Sequence, residues 1–320
     1  MPGSLAVGVD VGGTKVAALL TDDRGTVLDR RVVHSPADDA EATVETVVAL
    51  ARELAERQTG VAAVGVGAAG LVSREGVLRF APNLAWREFP VRARVAEGVG
   101  LPVTVDNDAN AAAWGEFRFG AGRGSTDLLL VTVGTGIGGG IVGGGSLYRG
   151  AHGFAAEIGH IIVEPGGPPC GCGNVGCWEQ VASGRAIERL GRQAAAEHPE
   201  SALGRTAGGD PSTIDGPAVT KAAHQGDPMS LRILERVGVR LGEGIAGLVN
   251  VLDPDVVVVG GGAAAAGDLL LEPARRAFVD AVEAVDHRPA VPIVAAALGN
   301  DAGAIGAADL ARAEAGTVAG

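Results

Sequence analysis

The chain has only two lysines, three cysteines, no block of basic residues and no long apolar run. Each shortage excludes something. A bilayer-spanning helix needs about 18–20 consecutive apolar residues, and no stretch reaches that length. The formal charge is −12, from 26 basic and 38 acidic residues. Such a balance, without a basic stripe, argues against nucleic acid as the main partner. It does not argue against a nucleotide, whose phosphates can be held by backbone N–H groups and a divalent cation. The three cysteines all fall between residues 170 and 177. An odd, clustered set reads poorly as disulfides and well as a metal site. The first four residues, Met1 to Ser4, carry no positive region, and a strand-like segment begins at Leu5. The expectation is a soluble, cytoplasmic protein with no membrane partner.

What is present reads as α/β, and 320 residues suffice for two domains. Short apolar runs at Leu5–Val9, Val16–Thr21 and Val27–Val33 predict a three-strand meander. Glu41–Gln58 has helical spacing, with Val44, Val47, Val48, Ala51 and Leu54 on one face. Strands are expected at Val61–Gly67 and Pro102–Val105, then a helix over Asp108–Phe119. The pattern starts again at Leu128–Val133, with a glycine loop and a strand at Ile141–Val142. Helices are expected over Met229–Leu252, Asp268–Val285 and Asp301–Arg312, and strands at Val256–Val259 and Ile293–Ala296. Residues 198–216, rich in Gly, Pro, Ser and Asp, read as a surface excursion.

Each half therefore holds a strand–glycine-loop–strand unit. The first loop is Asp10-Val11-Gly12-Gly13-Thr14-Lys15. Glycine lets backbone N–H groups approach an anion closely. Thr14 adds a hydroxyl, Lys15 a positive charge, and Asp10 a carboxylate suited to a Mg²⁺ shell. The second is Gly134-Thr135-Gly136-Ile137-Gly138-Gly139-Gly140. Gly134, Gly136 and Gly139 satisfy the dinucleotide glycine pattern, but a strand rather than a helix follows, and neither loop has the Gly-Lys-Ser/Thr leading into a helix that a P-loop needs. One such loop is an ordinary hairpin turn as readily as a phosphate site. Two in one chain make accident less credible, and facing hairpins would clamp a nucleotide. Gly260-Gly261-Gly262, after a strand, offers flat backbone for an adenine or ribose, or is a tight turn.

Asp106-Asn107-Asp108-Ala109-Asn110 lies where a strand ends and a helix starts. One of these residues is expected to cap the helix. Asp108 is the candidate general base, with Asn107 as its hydroxyl-binding neighbour. Farther on, His160 and Cys170, Cys172 and Cys177 form a Cys₃His set of the kind that binds tetrahedral zinc. Four protein ligands leave no open position, so the zinc is expected to be structural. The second nitrogen of His160 stays available to a hydroxyl, and Glu157 and Glu179 flank the cluster.

Together these residues resemble the bacterial glucokinases of the ROK family, over nearly the whole chain. The resemblance rests on Asp10–Lys15, Pro82-Asn83-Leu84, Asn107-Asp108, Gly134–Gly140, Glu157–His160 and the run from Cys170 to Glu179. It implies the two-lobed actin-like ATPase, or ribonuclease-H-like, α/β fold. A small lobe would span residues 1–108, joined by the C-terminal helix over 301–320, and a large lobe with the zinc loop would span 109–300. It implies transfer of the ATP γ-phosphate to the 6-hydroxyl of glucose, with Mg²⁺ accompanying ATP and zinc at the Cys₃His set. Asp108 would be the base. Asn83, Asn107, Asp108, Glu157, His160 and Glu179 would contact the sugar, with backbone near Ala68–Gly70. Asp10, Gly12, Gly13, Thr14, Lys15, Gly134, Thr135, Gly136, Ile137, Gly138 and Gly260, Gly261, Gly262 would contact the nucleotide. The resemblance also implies a homo-oligomer, dimer or tetramer. The same family holds kinases for fructose, mannose and N-acetylhexosamines, enzymes that also take polyphosphate, and sugar-responsive repressors. The repressors carry an N-terminal helix-turn-helix segment, for which a strand at Leu5 leaves no room.

Overall fold

A computed structural model describes residues 4–318. Met1–Gly3, read above as free of targeting signals, lie outside the described residues, as do the last two positions of the expected C-terminal helix. The chain opens with β1 (Leu5–Val11), β2 (Lys15–Thr21) and β3 (Val27–His34), then α1 (Ala40–Glu56), β4 (Val61–Ala68), β5 (Leu71–Val72), β6 (Leu78–Phe80) and β7 (Arg87–Phe89). There follow α2 (Val91–Val99), β8 (Val103–Asn107), α3 (Asp108–Phe119), β9 (Leu128–Val133), β10 (Ile137–Gly143) and β11 (Ser146–Leu147). The remainder holds α4 (Glu179–Ala182), α5 (Gly184–Glu197), α6 (Ala202–Thr206), α7 (Gly216–His224), α8 (Pro228–Leu252), β12 (Val256–Gly260), α9 (Asp268–Ala281), β13 (Ile293–Ala295) and α10 (Ala302–Val318).

The first sheet has the order β3-β2-β1-β4-β8. β1, β2 and β3 are antiparallel neighbours, whereas β1, β4 and β8 run parallel. Parallel strands end at one edge of a sheet, which is where α/β proteins bind ligands. Here the register sets Asp10 opposite Gly67, and Gly67 opposite Asp106. Asp108 follows one residue beyond the end of β8. α1 covers one face of this sheet. Its N-cap Asp39 accepts from Glu41 and Ala42 N–H at 2.9 and 3.0 Å, and Val44, Val47, Leu50, Ala51 and Leu54 join the core. α10 covers the other face. It lies so close that a side chain at Gly8 or Gly65 would overlap the carbonyls of Ala304 and Ala307. The buried Glu116 of α3 fixes the lead-in to α10, accepting from the N–H groups of Ala121, Ala297 and Leu298 at 2.8, 3.0 and 2.8 Å.

The second sheet, β11-β10-β9-β12-β13, repeats the order of the first: third, second, first, fourth, fifth strand. β12 is buried along its length, which suits a continuous apolar run in a covered sheet. α8 and α9 pack together through Gly238 and Gly242 of α8, against the backbone of Leu270 and Ala274.

Several expectations change. The strand expected at 141–142 begins at Ile137, because Ile137 is itself buried. The small sheet β5-β6-β7 lacks a long alternating pattern and was not anticipated; Leu78 of β6, and Trp86 just before β7, pack into the first core. The supposed excursion at 198–216 contains α6 and buries Leu203 and Ile214. Its Gly, Pro and Asp residues make turns and caps, and a few apolar side chains pin it down. The helix expected to reach Val285 stops at Ala281.

Two compact units result: Met1–Leu130, Gly140–Ala156 and Ala296–Gly320 in one, Val131–Gly139 and Glu157–Ala295 in the other. The first runs beyond residue 108 because α3 packs along α10, with Gly115 on Ala302 and Gly306 on Ala111.

The seat of α10 is testable. Gly65→Ala should cost about 1–3 kcal/mol by overpacking. This would be read as a lower urea midpoint with an unchanged slope. A wild-type midpoint would mean that α10 does not lie against β4.

Candidate active site

In the first unit the β1–β2 hairpin closes tightly. Val11 pairs with Val16, and the Gly12 N–H donates to the Lys15 carbonyl at 3.0 Å. Gly13, Thr14 and Lys15 form the exposed tip. Asn83 lies beside it, since its carbonyl is what a side chain at Gly13 would strike.

Asn107 is the N-cap of α3. Its Oδ1 accepts from Ala109 and Asn110 N–H at 2.8 and 3.1 Å, and its Nδ2 donates to the Gly70 carbonyl at 3.1 Å. Its oxygen is thus committed to the helix, and one amide hydrogen is left for a ligand. Asp106 and Asn110 buttress this corner. Asp106 accepts from the Asn107 N–H at 2.8 Å, from Asn110 Nδ2 at 3.0 Å and from Arg149 Nε at 2.5 Å. The polar run read from the sequence therefore divides into two buttresses, one cap and one carboxylate, Asp108, at the first turn.

Asp108 Oδ1 accepts from the Ala109 N–H at 2.9 Å. Burial pushes its carboxyl above the usual range, opposed by the first backbone N–H groups of α3. Asp10 is pushed up to about 7, first by burial and then by the charge of Asp108; Lys15 pulls against the shift and Asp301 adds to it. Gly303, in the first turn of α10, lies against the Asp10 carboxyl. Near neutral pH, Asp10 is thus only partly ionised, and a nearby cation would favour its charged form. Asp301 was not singled out from the sequence. The only signal was an acid at the start of a helix, which ordinarily means capping.

The second unit gathers the other candidates. Its glycine loop is shorter than expected: the Gly134 N–H donates to the Gly136 carbonyl at 3.0 Å, and Ile137 and Gly138 already belong to β10. The turn Ile158–His160 packs on this strand, with Gly159 against the Ile137 carbonyl. The Glu179 carboxylate lies over Gly136. Loop, turn and Glu179 therefore form one cluster, with Glu157 heading the turn.

The candidate metal ligands complete it. The ligand atoms of His160, Cys170, Cys172 and Cys177 all lie within 4.8 Å of one another. Cys170 Sγ is 3.7 Å from His160 Nδ1, and Cys172 Sγ is 3.6 Å from Cys177 Sγ. Tetrahedral zinc with Zn–S near 2.3 Å places its thiolates about 3.7 Å apart. The donor set and its spacing fit such an ion. Nδ1 of His160 faces the cysteines, so Nε2 is the nitrogen left over. Glu179 Oε1 accepts from Cys170 Sγ at 3.1 Å. Hairpin bonds hold the loop, including Cys170 N–H to the Asn174 carbonyl at 2.8 Å.

A cavity of about 800 Å³ opens in the same unit, lined by Gly134, Thr135, Gly262, Arg185 and Lys221 among others. Of the Gly260–Gly262 run only Gly262 lines it. Gly260 ends β12, and Gly261, at φ +85°, lets the chain pass against the Val133 backbone. Arg185, which sequence reasoning missed, had no signal. Lys221 stood out only as one of two lysines.

The ROK family profile matches residues 6–314. The glucokinase of Streptomyces coelicolor is 46% identical over 311 residues, covering 96% of this chain and 98% of that protein. The glucokinase of Thermotoga maritima is 37% identical over 314 residues, covering 97% and 98%. Among solved structures, a ROK family glucokinase from Streptomyces griseus in complex with glucose and AMPPNP aligns with a TM-score of 0.88 at 46% identity, over 97% of this chain and 100% of that one. The fold is that of the actin-like ATPases. With the family profile spanning nearly all of the sequence and glucokinases matching it end to end, the chain belongs to the ROK family.

Proposed function

We propose that this protein is a glucokinase, transferring the γ-phosphate of ATP to the 6-hydroxyl of glucose and releasing glucose 6-phosphate and ADP. The observation that carries it is 46% identity to a glucokinase across 96% of the chain. The site chemistry is in keeping with it. Phosphoryl transfer asks a protein mainly for positioning and charge stabilisation, and both units hold backbone loops suited to phosphate.

Asp108 is the base in this reading. Its carboxylate accepts the proton of the sugar hydroxyl as O6 bonds to the γ-phosphorus, and the bond to the β–γ bridging oxygen breaks. Its raised pKa makes it a stronger base than an exposed aspartate. Asn107 offers its remaining N–H, Asn83 stands beside the hairpin tip, and Glu157, His160 Nε2 and Glu179 supply hydroxyl partners. Asp10 is the proposed anchor for Mg²⁺ or its water shell, with Lys15 and Thr14 next to the phosphates. Bound Mg²⁺ would supply charge neutralisation on the phosphate oxygens. We assign zinc to His160, Cys170, Cys172 and Cys177. Four ligands saturate it, so these residues fix the loop and orient His160 and Glu179 rather than activate water. The reading includes a homo-oligomeric protein.

The deciding experiment is a coupled assay across hexoses and phosphate donors. Glucose with Mg²⁺–ATP should give the highest kcat/KM; preference for another hexose or for polyphosphate overturns that part of the reading. Operator-DNA binding without turnover of any hexose overturns all of it. For the base, Asp108→Asn should lower kcat by about 10²–10⁴-fold, while glucose affinity by calorimetry changes far less. Near-normal kcat would remove Asp108 from the role. For the metal, elemental analysis should find one zinc per chain, lost in Cys172→Ser. That variant should lose glucose binding yet keep its circular dichroism, because each unit has its own core. Normal glucose affinity without zinc would contradict the proposed orienting role.

A further inference from the structure

We infer that Arg185 binds the diphosphate shared by ATP and ADP, an assignment that rests on the kinase reading above. The first ground is placement. Arg185 is the second residue of α5, and this helix begins on the second glycine loop. The Gly184 N–H donates to the Gly134 carbonyl at 2.8 Å and the Arg185 N–H to the Thr135 carbonyl at 3.4 Å. The loop's carbonyls thus cap the helix in place of its N-cap side chain. The Ser183 hydroxyl makes no capping bond and is 1% exposed with no partner. Because each trans peptide sets its C=O and N–H on opposite sides, the Thr135 and Gly136 N–H groups turn away from α5. Helix and loop are locked in register, and the Arg185 side chain leaves this junction on the wall of the 800 Å³ cavity.

The second ground is charge. The other arginines of α5 are occupied: Arg189 donates to the Gln180 carbonyl at 3.0 Å, and Arg192 donates to the Ile214 carbonyl at 2.9 Å and pairs with Glu188 at 2.6 Å. Among the described residues Arg185 has no such partner, and neither does Lys221, on the same cavity's wall. The cavity's two carboxylates are engaged elsewhere. Glu188 pairs with Arg192, and Asp215 accepts from the Ala218 N–H at 2.8 Å as the cap of α7. In a chain of net charge −12, this wall presents two cations that make no ion pair, beside a backbone loop and the positive end of a 14-residue helix. That combination fits a polyanion, and a guanidinium can grip phosphate oxygens in pairs. Arg185 starts at the loop, so the phosphates rather than the base are its target.

The test is calorimetric titration of ATP, ADP and AMP into the wild-type protein, Arg185→Met and Arg185→Lys. Methionine keeps the apolar stem without the charge. Losing a charge-assisted bond pair should weaken ATP and ADP by about tenfold, AMP by clearly less, and glucose not at all. KM for ATP should rise in parallel. Arg185→Lys should recover part of the loss, as a point charge without the fork. Unchanged ATP and ADP affinity in Arg185→Met overturns the assignment, and so does an equal loss for AMP, which would move the contact off the diphosphate to the nucleoside monophosphate that all three share. A wild-type protein that binds none of the three nucleotides overturns the kinase reading itself.

Discussion

Two carboxylates that repel each other are held at the edge of the first sheet, and much of the surrounding structure follows from that. Asp10 ends up near Asp108 because β1, β4 and β8 are parallel and finish together. Burial raises both groups, and the charge of Asp108 raises Asp10 further, to about 7. Without a cation the pair is unfavourable when fully ionised. The fold offsets this with the first backbone N–H groups of α3, with Lys15, and with a half-protonated Asp10 near neutral pH. In the proposed reading, a divalent cation at Asp10 would relieve this repulsion.

The corner is kept rigid by residues that need never touch a ligand. Asp106, tied to Arg149, Asn110 and the Asn107 backbone, fixes the turn from β8 into α3. Glu116 ties α3 to the segment before α10, and the close seat of α10 brings Asp301 and Gly303 up to Asp10. In the second unit the same economy recurs with different parts. Glu179 accepts from Cys170, lies over Gly136 and stands 3.9 Å from His160. The cysteine loop and the glycine loop therefore share one side chain.

The sequence by itself determined a good deal. The period of apolar residues located β1, β2, β3, α1, β4, α3, β9, α8 and β12, because long regular elements bury one face and the pattern records it. The Cys₃His set was legible because ligand type and spacing are local, and it folds into a hairpin whose bonds are also local. The position of Asp108 was legible because the apolar run of β8 and the helical pattern of α3 meet there. Tertiary structure alone decided the rest. Only strand order brought Asp10 near Asp108, and only the seat of α10 brought Asp301 up to Asp10, because these groups are far apart along the chain and their charges meet through space. Only the capping geometry showed that Asn107 gives its oxygen to α3 and that Asp106 is a buttress, because an Asx side chain at a helix start reads alike in either role. Only burial revealed that residues 198–216 are pinned by Leu203 and Ile214, two apolar residues too isolated to form a period. And only the cavity wall set Arg185 and Lys221 apart from the other exposed cations, because an unpaired cation carries no mark in a sequence: its meaning depends on which partners the fold has left within reach.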